Sequence, residues 1–397
     1  LIRQAAQEKN MQHKISTYVG TNDGDLNVIF LDQTGLPYAW RQDANGDWNP
    51  KPPNRSAIDR NPVAEPISIP VPAGTTFRSI LGINFYGVIA LDVEGSLWVT
   101  KANNGQNDSW KHTPFIQVNS VAGLTIVNFD ADTVRGFDIV VAAIVEETLD
   151  VYAFYGDIGG FSDPVQIEGY QFTDLAIIGV DPDTGTVHDR TDNPTAIIVG
   201  VNSGGAGGSY SLASGDMVNW QDSLIANPAI LIPAEGDIPQ IGGYPIQAVG
   251  ALVVGNPFVG SLNAFLVDTQ NLSWMVTSDN QLLPQFQYSG TEGLNNPMEA
   301  TNSSLAGGYA NGNVYVAAIS TIQPGFNSVI WQDAAGVWHK LHYWLPQGDH
   351  AIEVTDLAIG IGSQGVLQIA YTTYTDDIYV NWLDGSGTWQ WYGPLAH

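Results

Sequence analysis

The sequence predicts an all-β protein, a β-propeller of seven four-stranded blades, with six blades plus insertions as the alternative count. Three observations point there. First, one phrase recurs in varied form: an apolar strand, an acidic turn, a second strand, a Gly-rich turn and a tryptophan. Its copies are NVIFLDQTGLPYAWRQDANGDW (27–48), GVIALDVEGSLWVTKANNGQNDSW (87–110), NSVIWQDAAGVW (327–338) and DIYVNWLDGSGTW (377–389). A unit of this size cannot bury its own apolar face, so the copies must stack on one another. Second, the phrases close at Trp48, Trp110, Phe161, Trp220, Phe286, Trp338 and Trp389, about 57 residues per unit, which fits four strands and their turns. Third, the 397 residues include 43 Gly and 22 Pro and are only 13% charged, against roughly a quarter in an ordinary soluble protein. That composition, with abundant Val, Ile, Thr, Tyr and Trp, suits short strands and tight turns.

Along the chain, residues 1–14 (LIRQAAQEKNMQHK) are polar and read as an N-terminal arm. Residues 15–397 then form a single propeller domain. Six stretches read as innermost strands because small residues alternate along them: 137–145, 172–180, 194–202, 247–255, 313–320 and 354–362. Of these, FTDLAIIGV (172–180) and VTDLAIGIG (354–362) are nearly the same nonapeptide. Small side chains suit a strand that lines a crowded central channel. Two Pro-rich stretches, 49–76 and 221–247, break the rhythm and read as long loops over one face of the ring.

The net charge of −27 argues against nucleic acid or an anionic membrane as partner, since both would be repelled. With no cysteine there is no disulfide, thiolate metal site or cysteine nucleophile. No apolar run reaches the length of a membrane span. Sequons at Asn54, Asn107, Asn271 and Asn302, together with a start at Leu1, suggest a secreted, glycosylated chain.

No serine-nucleophile elbow, phosphate-binding loop, nucleotide fingerprint or zinc-protease helix is present, and no cofactor is expected. The acidic run Asp130, Asp132 and Asp138 has the spacing of a calcium loop, and Asp181, Asp183 and Asp189 repeat the theme. Turns whose carboxylates serve their own backbone are the preferred reading of both. His339 and His342 would face opposite sides of a strand, so a metal centre there is not expected. The densest cluster of polar and aromatic groups is His339-Lys-Leu-His342-Tyr343-Trp344. His342 and Tyr343 are candidate hydrogen-bond donors to a ligand carbonyl. Arg41, beside Trp40, is a candidate for polarising an oxygen that gains charge in a transition state. Trp40, Trp98 and Trp344 are the candidate aromatic lining of a substrate site.

The recurring phrase resembles the repeats of the fungal fucose-binding lectins, which implies a propeller with a carbohydrate pocket between successive blades. In that family each pocket takes an Arg, a Glu and aromatic residues from the two middle strands. Here NVIFLDQTGLPYAW, GVIALDVEGSLW and DIYVNWLDGSGTW contain no Arg, and Glu94 falls in a turn. The copies agree in turns and core residues and differ in every polar position that could build a pocket, the pattern expected of one site at one place on the ring. The chain is also similar to a small group of lectin-like hetero-Diels–Alderases of fungal tropolone-sesquiterpenoid pathways. That resemblance implies a cofactor-free cyclase of fungal meroterpenoid biosynthesis, which orients an apolar small-molecule substrate in one pocket for a stereoselective pericyclic reaction. The alternative is a secreted carbohydrate-binding lectin with degenerate sites.

Overall fold

The computed structural model describes residues 13–19, 26–42, 48–49, 66–83, 87–101, 113–134, 138–180, 195–202, 209–226, 248–255, 262–268, 272–278, 287–288, 298–299, 305–310, 313–319, 326–332, 338–344, 354–361, 366–373, 375–383 and 388–395. Their strands form antiparallel meanders in chain order, and each meander is a blade. The first blade opens with Ile15–Val19, Leu26–Leu31 and Pro37–Gln42, and the second with Phe77–Ile83, Gly87–Asp92 and Leu97–Thr100. The third and fourth share one eight-stranded sheet, because the long strand Val165–Val180 ends one meander and begins the next. The fifth begins at Ala248–Gly255. The sixth is Leu305–Ala310, Asn313–Ile319, Phe326–Gln332 and Trp338–Trp344. The seventh is Val354–Ile361, Leu367–Thr373, Ile378–Leu383 and Trp389–Leu395.

The first strands of successive blades lie side by side, and Val354–Ile361 returns to Ile15–Val19 to close a ring. The molecule is therefore a β-propeller. Of the residues expected to close each phrase, Trp110 and Phe286 lie outside the described residues, and the other five open, end or immediately precede outer strands. Trp48, Trp338 and Trp389 begin such strands, Phe161 lies in the short strand Gly160–Phe161, and Trp220 precedes Gln221–Ala226.

A repeated joint holds neighbouring blades together. In the first blade Asp32 opens the turn between the second and third strands, and Gly35 sits there at φ 80°. The Gly35 carbonyl accepts the Phe77 N–H at 2.9 Å, where the next blade's inner strand begins. Gly95 (φ 89°) does the same for Ile126 at 2.9 Å, and Leu149 (φ 60°) for Phe172 at 3.0 Å. Just past each docking point the inner strand carries a bulge, at Phe77/Ser79, Ile126/Asn128 and Phe172/Asp174. A bulge increases local twist and re-aims a side chain, and polar residues follow it. Asn128 donates to Asp174 at 2.8 Å across the third and fourth blades.

Two expectations need correcting. Of the six stretches read as innermost, only 172–180, 247–255 and 354–362 fall on innermost strands. Asp138–Val145, Thr195–Asn202 and Asn313–Ile319 are second strands. A second strand is flanked by two others and covered on both faces, so Ile139 to Ile144 are all buried and apolar. True inner strands must also meet the channel, which is why Asn128, Asp174 and Asp356 stand on them. Neither Pro-rich stretch is all loop: Gln221–Ala226 is the outer strand of the fourth blade, the rest of 221–247 lies outside the described residues, and 49–76 contributes strand pairing too. Ser68 and Ile67 pair with Tyr38 and Ala39, and Ile67 and Ile69 are buried between the first two blades.

Candidate functional site

Strand alternation decides which seam each side chain enters. In the first blade Ala39 packs toward the second blade, whereas Tyr38 and Trp40 pack toward the seventh. Arg41, one residue on from Trp40, therefore lies on the opposite face from it, in register with Asn27. Trp40 is fully buried, and its indole N–H finds no hydrogen-bond partner among the described residues. Trp98 enters the seam that Ala39 and Arg41 face. Its indole donates to Asp92 at 2.8 Å, and its ring meets Phe77 edge-on in the core of the first two blades. Alternation thus separates Trp40 from Arg41 and Trp98, which both face the seam between the first and second blades.

His342, Tyr343 and Trp344 lie on the outermost strand of the sixth blade, in register with Ser328, Asn327 and Phe326. Alternation sets positions 342 and 344 on one face and 343 on the other; their side chains lie outside the described part. The sequons at Asn54, Asn107, Asn271 and Asn302, and the run Asp181, Asp183 and Asp189, also lie outside the described residues.

Asp130 and Asp132 sit on the inner strand Ile126–Val134, not in a turn. Their carboxylates accept the N–H groups of Ile177 (2.8 Å) and Gly179 (3.0 Å) on the next inner strand. Two acceptors spaced by two residues thus serve two donors spaced by two. Burial pushes both carboxyls up to about 6, against the downward pull of those N–H groups. Among the described residues no three carboxylates or imidazoles come together as metal ligands.

The seam between the sixth and seventh blades is different in kind. From the sixth blade, Ala317 and Val329 enter its core, and Tyr315 packs alongside. Tyr315, Trp331 and His339 are cross-strand neighbours in one register line. Their rings stack in series, with centroids 6.2 Å and then 4.3 Å apart and planes 21° apart at each step. From the seventh blade come Leu367, Ile369 and Tyr371, with Tyr379 and Trp389 packed against them. Asn381 is cross-strand to Ile369 and to Trp391, so the three share this face.

Asn381 is 1% exposed, and neither its amide nitrogen nor its amide oxygen has a hydrogen-bond partner among the described residues. Beside it Trp391 is 49% exposed. The seam therefore offers a half-exposed indole, a stack of three further rings and a buried amide with both its donor and acceptor unused. Pockets that hold small polar molecules combine such apolar walls with a few convergent polar groups.

Sequence reading missed this site, although a signal was present. Trp331 and Trp382 each stand seven residues before a phrase-closing tryptophan, Trp338 and Trp389. Arg41 stands seven before Trp48. The position chosen at Arg41 is thus the same register point that carries an aromatic ring in the sixth and seventh blades.

No protein-family profile and no curated protein matches the sequence. Solved structures do. The lectin BP39L from Burkholderia pseudomallei superposes with a TM-score of 0.63 at 16% identity, over 97% of this chain and 99% of that one. The fucose-specific lectin from Aleuria aurantia gives a TM-score of 0.47 at 11% identity, over 96% and 95%. AofleA from Arthrobotrys oligospora gives 0.45 at 10%, over 96% and 86%. At 16% identity the likeness to BP39L shows the fold alone: this chain is a lectin-like β-propeller.

Proposed function

We propose that the chain binds a neutral saccharide at the seam between the sixth and seventh blades. A sugar ring would stack on Trp391 and the Trp331–His339 pair, and adjacent hydroxyls would engage the Asn381 amide, which is covered in the ligand-free seam, once a neighbouring side chain moves aside. The observation that carries this reading is Asn381 itself. A buried amide without partners costs about 1–3 kcal/mol, and a ligand that supplies the missing bonds accounts for its presence in an aromatic wall. An amide offers one donor side and one acceptor side, which paired hydroxyls match because each hydroxyl can play either role. Aromatic faces suit the apolar C–H face of a pyranose. The net charge of −27 favours a neutral glycan over an acidic one. The fold shared with the lectin BP39L is compatible with this class.

The cofactor-free cyclase is the other reading. It assigns Trp40, Arg41, Trp98, His342, Tyr343 and Trp344 to one substrate pocket, whereas Trp40 enters a different seam from Arg41 and Trp98, and positions 342–344 stand on the sixth blade. Carbohydrate binding is the reading that the geometry supports better. A glycan array probed with the purified protein tests it. Saturable capture of a defined neutral glycan is expected, with capture lost in Trp391→Ala. Capture of no glycan at high protein concentration would overturn it.

A further inference from the structure

Among the described residues the ring closes without exchanging a strand between its ends: the strands of the first blade are all N-terminal and those of the seventh all C-terminal. What joins them at the axis is a short segment gathered on one carboxylate. Asp356 accepts the backbone N–H of Lys14 at 2.6 Å, that of Ile15 at 3.2 Å and that of its neighbour Leu357 at 2.9 Å. The His13 imidazole is the fourth partner, with Nδ1 3.1 Å from Asp356 Oδ1. The same segment reaches the other way. The His13 carbonyl accepts the Ile80 N–H at 2.8 Å from the second blade, and the Lys14 carbonyl accepts the Leu31 N–H at 2.8 Å. Thr17 then donates its hydroxyl to the Ile359 carbonyl. Three blades are thus tied through residues 13–17.

We propose that His13 is a proton-operated latch: its imidazolium, held by Asp356, locks the first blade to the seventh, and loss of the proton loosens that seam. The charged groups that face His13 all favour the protonated form. They are Asp356 on the seventh blade's inner strand, Asp130 on the third and Asp174 on the fourth. On the second blade's inner strand Arg78 is directed away, to the carbonyl of Ile126. Burial works to lower the imidazole's affinity for its proton, and the three carboxylates outweigh it, so the net shift is upward.

The sign follows. A histidine whose folded affinity for protons exceeds its unfolded one contributes full stability below about pH 6.5. That contribution is lost as pH rises through the folded value. The latch is therefore closed in mildly acidic solution and released toward alkaline pH.

Amide hydrogen exchange across pH 6.5–9, above the titration of Asp130 and Asp132 and corrected for intrinsic rates, tests this. The reporters are Ile15 and Leu357, whose N–H groups Asp356 holds; the internal control is the buried strand 139–144. In the wild type, protection at the seam should fall from about pH 6.5 upward by up to about tenfold per pH unit, the slope of one linked proton, and level off once the folded imidazole has itself lost its proton, while the control stays level. His13→Gln, which keeps an amide near Asp356 but cannot titrate, should remove the slope. A pH-independent seam in the wild type, or the same slope in His13→Gln, would overturn the proposal. The wild-type profile decides the matter even if the variant folds poorly, and no sugar is needed for either measurement.

Discussion

The polar residue that recurs most faithfully in this chain is an aspartate that builds turns. Asp92 Oδ1 accepts the N–H groups of Glu94 (3.0 Å) and Ser96 (2.7 Å), and Oδ2 takes the Trp98 indole. Asp32 takes the Thr34 and Leu36 N–H groups at 2.8 and 2.9 Å in the same way. One carboxylate satisfies donors that a tight turn would otherwise strand, which is why Asp leads at such positions. Asp92→Ala leaves three donors unpaired in a half-buried setting, so it should cost about 2–4 kcal/mol. Asp157 offers a contrast, since it is exposed and caps the single N–H of Gly159; Asp157→Ala should cost about 1 kcal/mol or less. Urea unfolding of the two variants measures the difference. Equal losses would show that the turn carboxylates do not act through their bonds. This much was legible in the sequence, because an Asp followed by a Gly at its third neighbour states the turn directly. Asn381 was not. An isolated Asn in an apolar strand gives no sign of whether its amide is paired, since that depends on what the neighbouring blade brings opposite it.

At the scale of elements, strand and turn alternation fixed the blades, while the order of strands within a blade was harder to see. Second strands such as 139–144 are as apolar and as small in side chain as the innermost ones, because both are enclosed by neighbours. Four inner strands open with a bulge and a polar residue after it, at Ser79, Asn128, Asp174 and Asp356, whereas the fifth blade's bulge leads to Gly250 and Ile15–Val19 and Leu305–Ala310 have none. That bulge depends on a carbonyl from the preceding blade, so it belongs to a pair of blades and no single repeat displays it. The joint itself makes a sharp demand at Gly95. A Cβ there would lie 2.7 Å from the Thr125 side chain and 3.0 Å from the Ile126 backbone, at a φ that side chains other than glycine's rarely adopt. Gly95→Ala should destabilise by about 2 kcal/mol or more, and it should raise exchange at the Ile126 amide beyond the global effect. A change spread evenly over the molecule would mean that the turn carbonyl is not the joint.

At the scale of the whole molecule, repetition and divergence have separate tasks. Turn aspartates, positive-φ joints and buried Val, Ile and Ala recur because every blade needs them to stack. The third-strand register point varies freely: Arg41, Tyr155, Trp331 and Trp382 occupy it in the first, third, sixth and seventh blades. Because that point opens into a seam, its variation makes the seams chemically unequal, and the sixth–seventh seam combines rings with an unsatisfied amide. The central claim is that this amide is kept for a ligand and not for the fold. Titration calorimetry and thermal unfolding of Asn381→Leu beside the wild type test it most directly. Leucine repeats the branched skeleton of asparagine and has no polar group to leave unpaired, so the variant should gain up to about 1–3 kcal/mol of stability, less the cost of fitting its bulkier methyls, and lose binding of the glycan that the wild type takes. A variant that binds that glycan as tightly as the wild type would contradict the account.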